Sequence, residues 1–187
     1  SDAEYELFSN LPDVNYAENG NNAEILVLTV GDWANQYKSV EIVANELAPE
    51  LLQEAVTERN ARVEDRFGVK ITEERTANTG AMLTTIRDNA SLGEQKYDLV
   101  MPYMTDAATL AVEGLFYDLN STGDVAFDGP WWDQSAKETL SIDNKLYFIT
   151  GDLCLLAYDC THCMVFNRDL ADEQGVDPYQ LVYDGEW

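Results

Sequence analysis

The chain has 187 residues, 35 acidic against 11 basic side chains and a formal net charge of -24, with 45% apolar and 11% aromatic residues. Net charge of that size on its own suggests disorder, but a chain this rich in Leu, Ile, Val, Tyr, Phe and Trp buries a core. So acidic a surface repels phosphate backbones and anionic lipid, which sets nucleic-acid binding and membrane-surface binding aside, and no window holds the roughly 18 uninterrupted apolar residues of a membrane-spanning helix.

In chain order, the first residues, SDAEYELFSNLPDVNYAENGNN, mix Asn, Asp, Glu, Gly and Pro without a helical or strand period. They read as a tether or wrapping arm over 1–23. No initiator methionine and no basic-then-apolar leader precedes it, so a mature or trimmed form is expected. Glu24–Val30 (EILVLTV) is a run of apolar and β-branched residues stopped by Gly31, the pattern of a strand buried on both faces.

A helix follows from Pro49, with Glu50 at the positive end of its dipole. Leu52, Val56, Arg59, Val63 and Phe67 recur at three- and four-residue steps, with Leu51 and Ala55 beside them. Gly68 supplies a left-handed stop, and Val69–Glu73 is a second strand. Asn78 or Thr79 caps another helix, with Met82, Leu83, Ile86 and Ala90 on its apolar face and Gly93 closing it.

Tyr97–Met101 is predicted as a third strand and Thr105–Val112 as a short helix. Phe116–Ser141 is irregular, with one helix over Asp133–Leu140. Lys145–Thr150 (KLYFIT) is predicted as a fourth strand. Strand-helix alternation of this kind predicts an α/β layer with a mainly parallel sheet, because a parallel connection needs a crossover long enough to hold a helix.

Ligands of open parallel sheets bind in the crevice beyond the carboxyl ends of the strands. The ends here carry Asp32 and Trp33, Tyr103, Thr105 and Asp106, and Asp152, and the Trp131–Trp132 pair lies in the irregular passage. An aromatic face beside a carboxylate suits a sugar, since the ring covers its C–H face while the acid accepts from hydroxyls. Each residue also has a plainer role. The Trp pair fits a lid on the core, Trp33 fits packing against the arm, Tyr103, Thr105 and Asp106 fit strand termination and helix capping, and Asp152 after Gly151 fits a hinge turn.

The segments ERNARVEDRFGVKI, YDLVMPYMTDAATLAVEGLFYDLN, PWWDQSAKETLSIDNKLYFITGD and VFNRDLADEQGVDPYQLVYDGEW, in that order, resemble the family 1 extracellular solute-binding proteins of bacterial ABC importers. The resemblance implies a three-layer αβα lobe of a periplasmic-binding-protein-like, type II fold. It implies that 24–152 is the first solute-binding lobe and that 153–187 crosses the hinge and begins a second lobe with a strand and a helix. The chain would then be the N-terminal part of a longer protein, and half a cleft binds its ligand weakly.

The implied role is non-enzymatic: an extracellular, cell-surface or periplasmic binder that takes a carbohydrate, above all an oligosaccharide, and delivers it to permease subunits. The membrane is reached only through a lipid-bearing cysteine upstream of Ser1. A peptide or other small polar solute is the alternative cargo within the family. Outside it stand a secreted carbohydrate-active hydrolase using paired carboxylates, and a structural or adhesion module.

No cofactor or resident metal is expected. Cys154, Cys160 and Cys163 flank His162, the only histidine. Their spacing lacks the two separated pairs of a closed zinc site. With Leu155–Ala157 read as packed strand, Cys160 and His162 would share one face and Cys163 the other. A disulfide from Cys154 to Cys160 or Cys163, or buried thiols, remain the alternatives. Asp118–Asp124 imitates half a calcium loop, but Gly129 stands where the bidentate Glu belongs, so a solvated turn is expected. No nucleophile elbow, phosphate loop or dinucleotide fingerprint is present.

Overall fold

The computed structural model describes residues 23–31, 39–44, 48–123, 125–160 and 162–186. The expected arm lies outside them except for Ala23. Contacts divide the chain into two compact units, Ser1–Leu156 and Ala157–Trp187.

The first unit is α/β around a parallel three-stranded sheet. Strand β1 (Ala23–Val30) is central. It pairs along its whole length with β2 (Val69–Thr76), from Ala23 opposite Val69 to Val30 opposite Thr76. On its other edge it pairs with β3 (Leu99–Val100), giving the order β2-β1-β3. Bonds from the Asp98 N–H to the Leu26 carbonyl (3.0 Å) and from the Met101 N–H to the Leu28 carbonyl (2.9 Å) extend that short pairing at both ends.

Helix α1 (Glu50–Phe67) crosses from β1 to β2, and α2 (Thr79–Ser91) crosses from β2 past β1 to β3. The two crossovers run in opposite directions along the sheet, so right-handed connection puts their helices on opposite faces. The predicted signals act as expected at both helices. Pro49 directly precedes α1 and Gly68 ends it in the left-handed conformation (φ 63°), its N–H bonded to the Glu64 carbonyl. Asn78 caps α2, its side chain accepting from the Ala81 N–H at 2.9 Å.

Alternation along β1 sends Leu28 to one face and Val27 and Thr29 to the other. On the Leu28 face, Met82 and Ile86 of α2 and Leu110 of α3 (Met104–Val112) close the core, with Val30, Leu83, Tyr97, Val100, Leu115 and Phe116 packed around them. Only Val56 of α1 is fully buried. Leu51 and Ala55, placed beside the stripe by the sequence, are exposed.

Lys145–Thr150 is not the expected fourth strand. Ile142 and Lys145 form a two-residue hairpin through Asp143 and Asn144, both at positive φ (52° and 60°), residue types that tolerate this. Leu146 is buried, but its carbonyl accepts from the Leu119 N–H (2.6 Å) and its N–H donates to Asp118 Oδ1 (3.1 Å). A side chain and the 3-10 turn Leu119–Ser121 thus take the backbone groups that a neighbouring strand would have taken. The predicted helix over Asp133–Leu140 is α4 (Gln134–Thr139), with Asp133 as its cap.

Leu155–Ala157, read as packed strand, instead begins a single helical turn, α5 (Leu156–Asp159). The second unit has α6 (Arg168–Glu173), capped by Asn167, and α7 (Pro178–Asp184), capped by Asp177 and stopped by left-handed Gly185. The strand expected at its start is not formed, since described residues 162–167 have no regular structure. Phe166 meets Tyr179 edge-on at 5.4 Å.

Leu28 shares one core cluster with residues of α2 and α3 and is fully buried. Leu28→Ala is expected to cost about 2–5 kcal/mol from lost transfer energy and residual cavity. Urea unfolding followed by circular dichroism measures this, and a cost below about 1 kcal/mol would remove Leu28 from the centre of the core.

Candidate binding site at the carboxyl ends of the strands

The order β2-β1-β3 reverses direction between β1 and β3, and such a switch point opens a crevice beyond the strand ends. The β1 and β2 ends are closed against each other. Gly31 donates to the Thr76 carbonyl at 2.7 Å, and a Cβ on Gly31 would stand 2.6 Å from that oxygen. Between β1 and β3, the described residues give no bond beyond the one from Met101. Pro102, next in the chain, has no N–H to offer, and the chain turns into α3. The crevice therefore has the end of β1 on one side and Met101–Asp106 on the other.

Tyr103 is the N-cap residue of α3, in an extended conformation, half-buried and with its hydroxyl buried. Tyr103 makes no side-chain cap bond, and Thr105 and Asp106 stand inside the first turn rather than at the cap position. Thr105 is exposed and its carbonyl accepts from Thr109 Oγ1 (3.0 Å). Asp106 lies in the first turn, where its charge complements the helix dipole. It also acts on Arg87 of α2, whose guanidinium makes two bonds to Glu113, at 2.8 and 2.7 Å. Those bonds hold Arg87 above and Glu113 below their ordinary values, and the charge of Asp106 adds to the shift of Arg87.

The other candidates gather elsewhere in the same unit. Trp132 and Gly151 form an antiparallel bridge, the Asp152 N–H donates to the Trp131 carbonyl (2.9 Å), and Asp133 donates to the Thr150 carbonyl (3.0 Å). Trp131, Trp132 and Asp152 are thus brought together by backbone bonds that do not include Tyr103, Thr105 or Asp106. The Trp131 ring lies across Gly129, leaving no room for a side chain there, and Trp132 tilts against Phe127 at 5.7 Å. Both tryptophans are half-buried and Asp152 is exposed. Gly151 and Asp152 fit the turn reading: Cys154 donates back to the Gly151 carbonyl at 2.9 Å. Asp32 and Trp33 lie outside the described residues.

Sequence reasoning missed two buried polar groups near the strand ends. Thr29 Oγ1 donates to Glu73 Oε1 at 2.6 Å, and Arg75 meets the other Glu73 oxygen at 2.8 Å, with the Glu73 side chain only 3% exposed. Glu41 is 4% exposed, and its carboxylate accepts from Ser39 Oγ (2.6 Å), the Val40 N–H (3.0 Å) and the Leu156 N–H (3.1 Å). Arg59 of α1 donates to the Glu41 and Ile42 carbonyls. Burial pushes its guanidinium down, and the negative charge of Glu41 partly offsets that. One signal was present: Arg59 occupies a position of the apolar stripe, where a guanidinium has to be given acceptors.

Asp118, from the imitation calcium loop, is an anchor. Its Oδ1 accepts from the Asn120 and Leu146 N–H groups, each at 3.1 Å. The thiols of Cys154, Cys160 and Cys163 are free, and the last two are exposed. The strand geometry that would have split Cys160 and His162 from Cys163 is replaced by the α5 turn and irregular chain.

Two expectations follow from this geometry. Gly151→Ala puts a methyl where the Trp131 carbonyl stands 2.2 Å away, so the bridge must open. The expected cost is about 1–3 kcal/mol in thermal unfolding, with a changed near-ultraviolet dichroism from the two tryptophans; an unchanged spectrum and stability would remove the bridge.

The second concerns Glu74, whose carboxyl is held low by the hydrogen bond from Lys96 (2.6 Å) and then that from Tyr97 (2.8 Å). A folded value below the unfolded one stabilises the protein above the ordinary carboxylate range, and that contribution is lost as pH falls through the lowered value. Lys96 is raised by the same bond, and its contribution is lost only as pH rises through its raised value. Glu74→Gln should therefore lower stability at neutral pH and flatten its decline in acid. Equal acid slopes for variant and parent would refute the linkage.

No family model and no curated protein matches the chain.

Proposed function

We propose that this chain supplies the first lobe of an extracellular substrate-binding component of an ABC importer, binding a carbohydrate, above all an oligosaccharide, without covalent chemistry. The observation that carries the reading is the β1/β3 switch point, where the described bonds between the strands end at Met101 and α3 begins beside Tyr103. The ordered resemblance of four segments to family 1 solute-binding proteins supports it independently. A second lobe would close over the sugar by a hinge motion, and the closed form would be the one that permease subunits recognise. On this reading the protein acts at the cell surface or in the periplasm, and its membrane attachment is a lipid anchor upstream of Ser1.

A sugar fits the chemistry of this edge better than an anion does. The net charge of -24 raises the cost of bringing a negative ligand close, whereas hydroxyls both donate to carboxylates and accept from backbone N–H groups. A peptide or other small polar solute is the alternative cargo.

The test is a thermal-shift screen of the two-lobed protein that the proposal implies, against mono- and oligosaccharides, amino acids and peptides. A cognate oligosaccharide at a hundred times its Kd should stabilise by about 2.7 kcal/mol. Tyr103→Ala should weaken binding by about 1–3 kcal/mol, a range carried over from base-aromatic stacking. No stabilisation by any solute would overturn the transport reading, turnover of a glycoside would replace it with the hydrolase one, and unchanged affinity in the variant would take Tyr103 out of the site.

A further inference from the structure

The binding reading leaves the cysteines without a role. Cys154 belongs to the first unit, is half-buried and follows the Gly151 turn. Cys160 and Cys163 belong to the second unit and are both exposed with free thiols. Only Thr161 and His162 separate them, which is the C-x-x-C spacing of thiol–disulfide exchange sites. Among the described residues no three His, Cys, Asp or Glu side chains converge as metal ligands. Two thiols of this spacing therefore lack the further donors of a closed zinc site.

We propose that Cys160 and Cys163 form a reversible dithiol–disulfide pair that exchanges with low-molecular-weight disulfides. A disulfide requires Cα atoms about 4.4–6.8 Å apart, while three fully extended residues span about 10 Å, so the chain has to turn between the two cysteines. Cys160 lies in the turn that ends α5, which supplies the start of that bend. Exposure gives a small disulfide access to both sulfurs, and exposed disulfides are the readily reduced ones.

The exchange balances in two steps. The thiolate of one cysteine attacks a sulfur of RSSR, forming a mixed disulfide and releasing one RS⁻. The thiolate of the other attacks the protein sulfur of that mixed disulfide and expels the second RS⁻. The protein dithiol is oxidised by two electrons and loses two protons, and RSSR is reduced to two thiols. The second step is intramolecular over a very short loop, so it outruns attack by a second small molecule.

The full chain, reduced and then incubated with oxidised glutathione, tests this by mass spectrometry after chymotryptic digestion, which cuts at Tyr158 between Cys154 and Cys160. The expected result is a peptide carrying Cys160 and Cys163 that has lost two hydrogens and regains them in reduced glutathione. C163S should instead accumulate a glutathione adduct on Cys160, and C154S should close the pair at the parent rate. A linkage that includes Cys154, separate glutathione adducts on Cys160 and Cys163 in the parent, no reaction at either thiol, or a disulfide that reduced glutathione does not reopen would each overturn the proposal.

Discussion

The position and register of β1 govern the first unit. This strand is hydrogen-bonded along both edges and buried on both faces, with Val27, Leu28 and Thr29 at its centre almost inaccessible. Because its neighbours are parallel to it, each must be reached by a helical crossover, and the strand order then fixes which helix covers which face. A slip of one residue would exchange Leu28 and Thr29 between faces. The Thr29 hydroxyl would leave Glu73 and enter the Met82–Leu110 cluster, while Leu28 would confront a buried carboxylate. The polar pair therefore acts against misregistration as well as satisfying its own atoms, since each wrong pairing strands a buried polar group.

A second constraint ties irregular chain to that frame. Residues 39–44 have no strand or helix of their own, yet Ser39, Val40, Glu41 and Ile42 are buried, so their backbone groups need partners. The α1 face supplies them: Arg59 reaches the Glu41 and Ile42 carbonyls, and Asn60 reaches the Ile42 carbonyl at 2.6 Å. Arg75 at the end of β2 adds a bond to the Val43 carbonyl. Glu41 carries the tie onward to the Leu156 N–H, which belongs to chain 115 residues away. Removing the Arg59 guanidinium would take a donor from the carbonyl of buried Glu41, the cost of a buried polar group left short of a partner.

What the sequence made legible follows from how local each signal is. The α1 and α2 ends were readable because Pro49, Gly68 and Asn78 act within one turn of themselves. Strand β1 was readable because both of its faces are apolar enough to make a continuous run. KLYFIT has the same composition and is no strand, because its backbone partners are Leu119, Asp118, Asp133 and the hairpin at Asp143–Asn144. Nothing within six residues encodes that choice. The strand ends that frame the candidate site were legible to the same extent. The switch point follows once strand order is known, and Tyr103 stands just past the end of β3 as the N-cap residue of α3. The cap position expected of Thr105 or Asp106 is taken by Tyr103, which puts both of them inside the first turn.

The same packing decides which aromatic rings the solute reading can use. Trp131 is spent on covering Gly129, and Trp132 on Phe127 and on the bridge to Gly151. A ring held by its own chain on one side has at most the other face for a ligand. Tyr103 differs in kind, because its backbone is fixed by the strand-to-helix turn and its carbonyl by the Ala107 N–H at 2.7 Å. The residue itself is half-buried, with its hydroxyl inside the protein. Next to it, the opening turn of α3 offers N–H groups without intrahelical partners, while Asp106 in that turn already supplies negative charge. An anion brought to that turn would meet the Asp106 carboxylate. The charge fixed at this edge thus has the same sign as the charge of the whole chain.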